Sequence, residues 1–153
     1  MKIMVKKGVI FITSFKKIIK EIFLARLIES LSGFRGIVGD SLTPEVALKI
    51  AKGYGTFLGK GPVIIGGDTR VSYDTIKNSI VSGLLSVGID VIDIGQVPTP
   101  TVQQMIKYHN ANGGMVITAS HNPIQYNGVK LMDHSGAFIT QTEYDRFYAL
   151  YQS

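Results

Sequence analysis

The feature that most limits the folds open to this 153-residue chain is an alternation between residues 43 and 117: helical stripes take turns with short apolar runs that end in glycine or polar residues. Thr43-Pro44-Glu45 reads as an N-cap followed by proline and an acid in the first turn, and apolar residues at 46, 47, 50, 51, 57 and 58 carry that helix to Gly59. A strand follows, Pro62-Val63-Ile64-Ile65, which stops at Gly66-Gly67-Asp68-Thr69-Arg70. Ile76, Ile80, Val81, Leu84 and Leu85 mark a second helix that ends by Gly88. The unit then repeats, with Asp90 to Ile94 as a strand, Thr99-Pro100 as the cap and first turn of a helix through Tyr108, and Gly114 to Ile117 as the next strand. Strands and helices alternating at these lengths imply crossover connections, hence a three-layer α/β/α domain around a mostly parallel, mixed sheet.

The apolar run Met115-Val116-Ile117 breaks abruptly into Thr118-Ala119-Ser120-His121-Asn122-Pro123. Pro123 has no N–H to give a ladder and biases Asn122 away from helical geometry, so a polar tip is lifted off the strand end, where open α/β sheets place ligand sites. Tyr126 to Gly128 reads as a turn, since Asn-Gly favours one, and Val129 to Met132 as a last strand. The short connection from Ile117 makes an antiparallel direction the easier path for that strand. His134-Ser135-Gly136 is a second turn. Thr140 and Glu143 have the spacing of a capping box, opening a helix with Tyr144, Phe147, Tyr148 and Tyr151 to pack.

Charge placement excludes one class of partner. Residues 1–30 hold seven Lys and Arg against two acids, whereas from residue 31 onward nine basic residues face nine acidic ones. The body therefore has no basic balance with which to neutralise a nucleic-acid backbone. Residues 1–26 read as a basic amphipathic extension, with apolar positions 15, 18, 19, 22, 23, 27 and 28 forming a stripe from Phe15 onward. That stripe fits docking on the body, lying on an anionic membrane surface, or partial order. Gly8 to Phe15 is too short for a membrane span and lacks a cleavage site. With no cysteine there is no disulfide, zinc-thiolate site or thiol nucleophile, and a reducing, cytoplasmic setting is expected.

Ser120 does not sit in a hydrolase elbow, which wants glycines on both sides in a Gly-x-Ser-x-Gly pattern. Its neighbours instead suit an anion: strand-end amides and Asn122 can donate hydrogen bonds, and His121, Lys130 and Arg35 can bring positive charge. His109 and His134 lie away from this cluster and read as structural.

"TASHNP" followed by "YNGVK" resembles the active-site serine loop of the α-D-phosphohexomutases, the superfamily of phosphoglucomutase, phosphomannomutase and phosphoglucosamine mutase. "SGFRGIVG" with "LTPE", "GGDTR" and "VPTPT" agree in the same chain order. The resemblance covers residues 27–153 as a first domain and implies that Ser120 is phosphorylated at rest. It would exchange that phosphoryl group with hexose 1-phosphates and hexose 6-phosphates through a hexose bisphosphate. By the same match Arg35 would neutralise charge at the phosphoserine, and Lys130 would contact the phosphoryl group or help to move the hydroxyl proton. His121 and Asn122 would shape the loop, Thr118 and Asn127 would belong to the phosphate loop, and Asp68 and Arg70 would brace it.

The family's Mg²⁺ would reach Ser120 only through its phosphate, because the Asp-Gly-Asp-x-Asp-Arg loop that binds the metal is not in these 153 residues. The expected partners are hexose phosphates, hexose bisphosphate and the remaining domains of a parent enzyme, with self-association where those domains are missing. On its own the chain is expected to be inactive. The alternatives are a phosphoglucosamine mutase domain and a stand-alone, non-catalytic phosphosugar-binding or remnant domain.

Overall fold

A computed structural model of the chain describes residues 26–153. Stripe positions 15, 18, 19, 22 and 23, and with them nearly all of the expected extension, lie outside the described residues, whereas Leu27 packs against the larger core and Ile28 opens a strand. Six strands and four helices follow in the order β1 (Ile28–Ser30), β2 (Gly33–Ile37), α1 (Pro44–Leu58), β3 (Val63–Gly67), α2 (Tyr73–Leu85), β4 (Val91–Gln96), α3 (Thr99–Tyr108), β5 (Gly113–Ile117), β6 (Tyr126–Asp133) and α4 (Gln141–Gln152). They build one mixed sheet in the order β1-β2-β6-β5-β3-β4. β4, β3 and β5 are parallel neighbours, joined by helical crossovers as the alternation requires. β6 runs antiparallel to both β5 and β2, the reversed direction expected of the last strand.

Helix ends follow their capping chemistry. The Thr43 hydroxyl accepts from the Val46 amide at 3.3 Å, and Gly59 closes α1 in the left-handed region at φ 73°. Both halves of the Thr140–Glu143 capping box form at the start of α4. α3 differs from expectation, because Pro98 rather than Thr99 is its N-cap, with no side-chain capping bond. Upstream, the Val97 amide donates to the Gly67 carbonyl at 2.8 Å and Pro98 is still extended at ψ 148°, while the Thr101 amide donates to the Pro98 carbonyl at 2.9 Å, so Thr99 already lies inside the helix.

The sheet also gains an N-terminal hairpin, β1–β2, that the alternation does not predict, and β6 starts earlier than expected. Asn127 and Gly128 pair with Gly36 and Arg35, so Tyr126 to Gly128 is strand rather than turn. In the other expected turn, Gly136 takes φ 77°, where glycine is at home.

Period-2 alternation sorts side chains between two cores of unequal size. Val63, Ile65, Met115, Ile117, Val129 and Leu131 face one way, into a core shared with Ile50, Ile80 and Phe147 of α1, α2 and α4. Ile64, Val116 and Met132 face the other way, where among the described residues only α3, through Val102 and Ile106, covers them. Phe34 anchors β2 in the larger core, edge-on to Phe147 at 5.8 Å and Tyr151 at 5.2 Å. β1 is tied to the same helix by Glu29, which accepts from the Tyr148 and Tyr151 hydroxyls. One helix cannot span a six-stranded face, so among the described residues the part of that face around Arg35 and Lys130 is left uncovered by a helix. Arg35, next to Phe34, and Lys130, between Val129 and Leu131, alternate onto this uncovered part.

Candidate active site

The C-terminal ends of β3 and β5 lie side by side, Gly67 opposite Ile117, and the loops that leave them start in contact. The Asp68 amide donates to the Ile117 carbonyl at 3.0 Å. Gly67 makes the approach feasible: a Cβ there would meet the Cβ of Ile117 at 2.8 Å and the Tyr73 ring at 2.9 Å.

From this junction Arg70 reaches under the serine loop. Its Nη1 donates to the carbonyls of Pro123 at 2.8 Å and Tyr126 at 2.9 Å. Its Nη2 donates to those of Ser120 and Asn122, both at 2.8 Å. Nε completes the set with Asp68 Oδ2 at 3.3 Å. The same Asp68 oxygen accepts from the Thr118 hydroxyl at 2.7 Å, and that hydroxyl's oxygen accepts from the Ser120 amide at 3.0 Å. A charged acceptor thus fixes the direction of the Thr118 hydroxyl, which in turn fixes the Ser120 backbone. Ser120 is held at φ 53°, one of two non-glycine residues with positive φ among the described residues. The other, Asn110, is a residue type that tolerates this region, whereas a serine there marks a constrained position. Ser120 is exposed, and its Oγ makes no hydrogen bond among the described residues.

The facing wall comes from β2 and β6. Gly128 lies between Arg35 and Thr118, pairing with the first and accepting from the amide of the second at 3.0 Å. A Cβ on Gly128 would meet the Thr118 carbonyl oxygen at 2.8 Å, so only glycine lets β2 come this close to the loop. Arg35 Nη1 donates to Asn122 Oδ1 at 2.7 Å. Lys130 places Nζ over the Phe138 ring, 5.0 Å from its centre. Between the walls is a cleft of about 130 Å³ lined by Ser32, Gly33, Arg35, Thr118, Ser120, His121 and Lys130, with Phe34 and Ala119 behind them. Three side chains that can carry positive charge thus share a small concavity with the hydroxyls of Ser120 and Ser32, neither of which makes a hydrogen bond among the described residues. The arrangement can receive a compact anion, and no carboxylate lines the cleft among the described residues.

The residues singled out from sequence fall into two groups. Ser120, Arg35, Lys130, His121 and Thr118 line the cleft. Asp68, Arg70 and Asn127 do not; they stand behind the loop. Asn127 is fully buried, its amide donating to Ser72 Oγ at 2.9 Å and its Oδ1 accepting from the Gly128 amide at 2.8 Å, so its side chain ties β6 to the loop that leads into α2 and does not line the cleft. The loop is shaped by Asn122, Arg70 and Thr118, while the His121 imidazole makes no hydrogen bond among the described residues and is exposed. Ser72 and Phe138 went unnoticed in the sequence. Ser72 follows the Gly-Gly-Asp-Thr-Arg segment closely, and that proximity is the one signal that points to it. Tyr73, behind Gly67, has its phenol pushed up to about 12 by burial, with the charge of Asp93 adding, so it keeps its proton near neutral pH.

Among the described residues no three His, Asp or Glu side chains cluster to hold a metal ion. Asp68, the acid that touches the loop, already accepts from Thr118 and Arg70. The Mg²⁺ expected from the resemblance therefore finds no complete ligand set among the described residues. Nor is any helix among the described residues long and apolar enough to cross a membrane.

Comparison with known proteins agrees with this geometry. A family model described as phosphoglucomutase/phosphomannomutase, alpha/beta/alpha domain I, matches residues 26–153. A Thermococcus kodakarensis protein named "Probable phosphoglucosamine mutase" is 53% identical over 109 residues, 71% of this chain and 24% of that protein. A second protein of the same organism, named "Phosphoglucomutase/phosphomannomutase", is 50% identical over 109 residues, 68% of this chain and 24% of its own length. The chain thus spans about a quarter of the length of these curated relatives. Among solved structures, one from Thermus thermophilus superposes with a TM-score of 0.76 at 36% identity, covering 82% of this chain and 30% of that one. Another, of a phosphoglucomutase/phosphomannomutase family protein from Burkholderia thailandensis, gives 0.70 at 28% identity, with 82% and 31% covered.

Proposed function

The chain belongs to the phosphoglucomutase/phosphomannomutase family, as its α/β/α domain I, and on that premise we propose that Ser120 carries the phosphoryl group of an isomerase that interconverts hexose 1-phosphate and hexose 6-phosphate. The observation that supports this most directly is the exposed Ser120 Oγ. It has no partner among the described residues, stands on a backbone held in a costly conformation, and faces Arg35, Lys130 and His121 across one cleft.

In the forward step a sugar hydroxyl attacks the phosphorus on Ser120. The Oγ–P bond breaks as the new O–P bond forms, the hydroxyl loses its proton, and Oγ takes one up. After the bisphosphate turns over in the site, Ser120 Oγ attacks the phosphoryl group at its other end by the same step in reverse. Transfer of this kind asks for charge control more than covalent help. Arg35, with a planar fork suited to phosphate, and Lys130, with a compact charge, would neutralise the migrating group. Lys130, which lines the same cleft as His121, would also help to move the hydroxyl proton.

The substrate class is a hexose or hexosamine phosphate, the sugars that the names of the relatives span. The sugar-binding loops, and the carboxylates for a divalent cation, would come from the other domains of a parent enzyme, which are the proposed protein partners. Residues 1–26 would stand outside the catalytic domain. This chain alone is accordingly expected to show no sustained conversion of glucose 1-phosphate in the presence of Mg²⁺ and a bisphosphate. Turnover that Ser120→Ala abolishes would overturn that expectation.

The serine's role is tested by incubating the chain with glucose 1,6-bisphosphate and mapping phosphate by mass spectrometry. One phosphate on Ser120, absent in Ser120→Ala, is expected; label that persists in Ser120→Ala overturns the reading. In the loaded chain, nearby cations favour the dianion and hold the second phosphate pKa below that of free phosphoserine, roughly 6. Removing a cation withdraws that support, so Arg35→Ala and Lys130→Ala should each raise it in a phosphorus NMR titration. Unchanged titration in both variants would show that the cleft does not surround the phosphate.

A further inference from the structure

We infer that Arg70 is a positioning residue, which sets the left-handed turn that presents Ser120 Oγ and takes no part in holding the phosphoryl group. The inference rests on the reading of Ser120 as the phosphoryl carrier but is carried by separate geometry. A guanidinium has five N–H donors and no acceptor. In Arg70 all five are engaged: one with Asp68 and four with the carbonyls of Ser120, Asn122, Pro123 and Tyr126. The side chain is only 10% exposed. An anion would have to displace one of these bonds before meeting an N–H of Arg70. Arg35, by contrast, gives one N–H to Asn122 Oδ1 among the described residues and lines the cleft itself.

The four carbonyls belong to residues 120–126, so the guanidinium plane acts as a jig around which the loop is wound. Asp68 completes the jig at both ends, since it binds Arg70 and, through the Thr118 hydroxyl, the Ser120 amide. Ser72 and Asn127 pin its base, because their mutual bond ties the Asp68–Arg70 loop to the first residues of β6. Together these contacts hold the Ser120 carbonyl and amide and leave its hydroxyl free. Loading or unloading phosphate therefore need not disturb the loop.

Arg70→Lys separates the roles, since lysine keeps the charge and binds phosphate as a point charge but cannot fork toward four carbonyls. In that variant the amides of Ser120 and Asn122 should exchange hydrogen at least about tenfold faster, the scale of one or two lost hydrogen bonds, with Val116 and Leu131 unchanged. Loop amides as protected as in the parent chain would overturn the inference. A second measurement needs no variant. In the unsubstituted chain the Nη protons of Arg70 should give separate NMR signals, because five bonds stop rotation about Nε–Cζ; one averaged signal would overturn the inference too. Titrating inorganic phosphate while following both Nε signals should then shift Arg35 and leave Arg70 in place, and a comparable shift at Arg70 would count against the inference. Separate Arg70 signals together with phosphate label that persists in Ser120→Ala would instead leave the jig standing and remove the proposed function.

Discussion

On the β3 side of the cleft Arg70 delivers every N–H it has to the serine loop and to Asp68, whereas on the β2 side Arg35 delivers one to Asn122 and faces the cleft with the rest. The two walls hold the same kind of side chain within reach of the same loop. Their difference is one of satisfied donors, not of charge. A wall whose hydrogen bonds close on themselves is rigid and chemically silent. A wall with donors left over is soft, and it is the one with something to offer an anion. The Asp68–Thr118–Ser120 chain of bonds belongs to the silent wall and Lys130 to the open one, while His121, on the serine loop between them, lines the cleft.

Substitutions on the two walls should therefore separate stability from anion chemistry. The largest stability effect is expected from Arg70→Met, which strips partners from four carbonyls and a carboxylate: about 2–4 kcal/mol by urea unfolding. Arg35→Met should stay within about 1 kcal/mol of the parent chain while removing the response of the loop to phosphate. Equal costs at the two positions would abolish the distinction. Next comes Thr118→Val, expected to cost about 1–2 kcal/mol because the Ser120 amide and the Asp68 oxygen lose a shared partner. Thr118→Ser should recover most of that loss, and failure to recover would move the effect from the hydroxyl to the methyl group. The smallest effect has the opposite sign. Ser120→Gly relieves the left-handed backbone and should gain up to about 1 kcal/mol, at the expense of all phosphate loading. A loss of stability there would mean that φ 53° stores no strain.

The layered fold was legible because each of its elements repeats a local pattern. The stripes of α1 and α2, the apolar runs of β3 and β5, and the caps at Thr43 and Thr140 are all decided within a few residues. β2 was not legible in that way. Its sequence Gly-Phe-Arg-Gly-Ile carries no period-2 apolar signal, and what holds it is one phenylalanine against α4 together with pairing to a strand some ninety residues away. Asn127-Gly128 likewise has the local chemistry of a turn. A buried asparagine is tolerable in a strand only when its amide finds a partner, and Ser72, 55 residues earlier in the chain, supplies it.

For the site, the sequence by itself determined that a polar tip must rise from the end of β5, that Ser120 stands on it, and that cationic residues gather in the matching segments. It also determined the family resemblance. The resemblance already implied different roles for Arg35 and Arg70, but which guanidinium has its donors engaged and which lines the cleft was decided only by tertiary structure. Arg35 and Arg70 each stand in a short glycine-containing segment, and nothing local distinguishes a guanidinium that faces solvent from one that is saturated. The order β2-β6-β5-β3 distinguishes them, setting Arg35 opposite Gly128 at the cleft and bringing Arg70 beneath carbonyls some fifty residues further along the chain. Periodicity fixes which way a side chain points from its own strand. Only the lateral order of the strands fixes what it finds there.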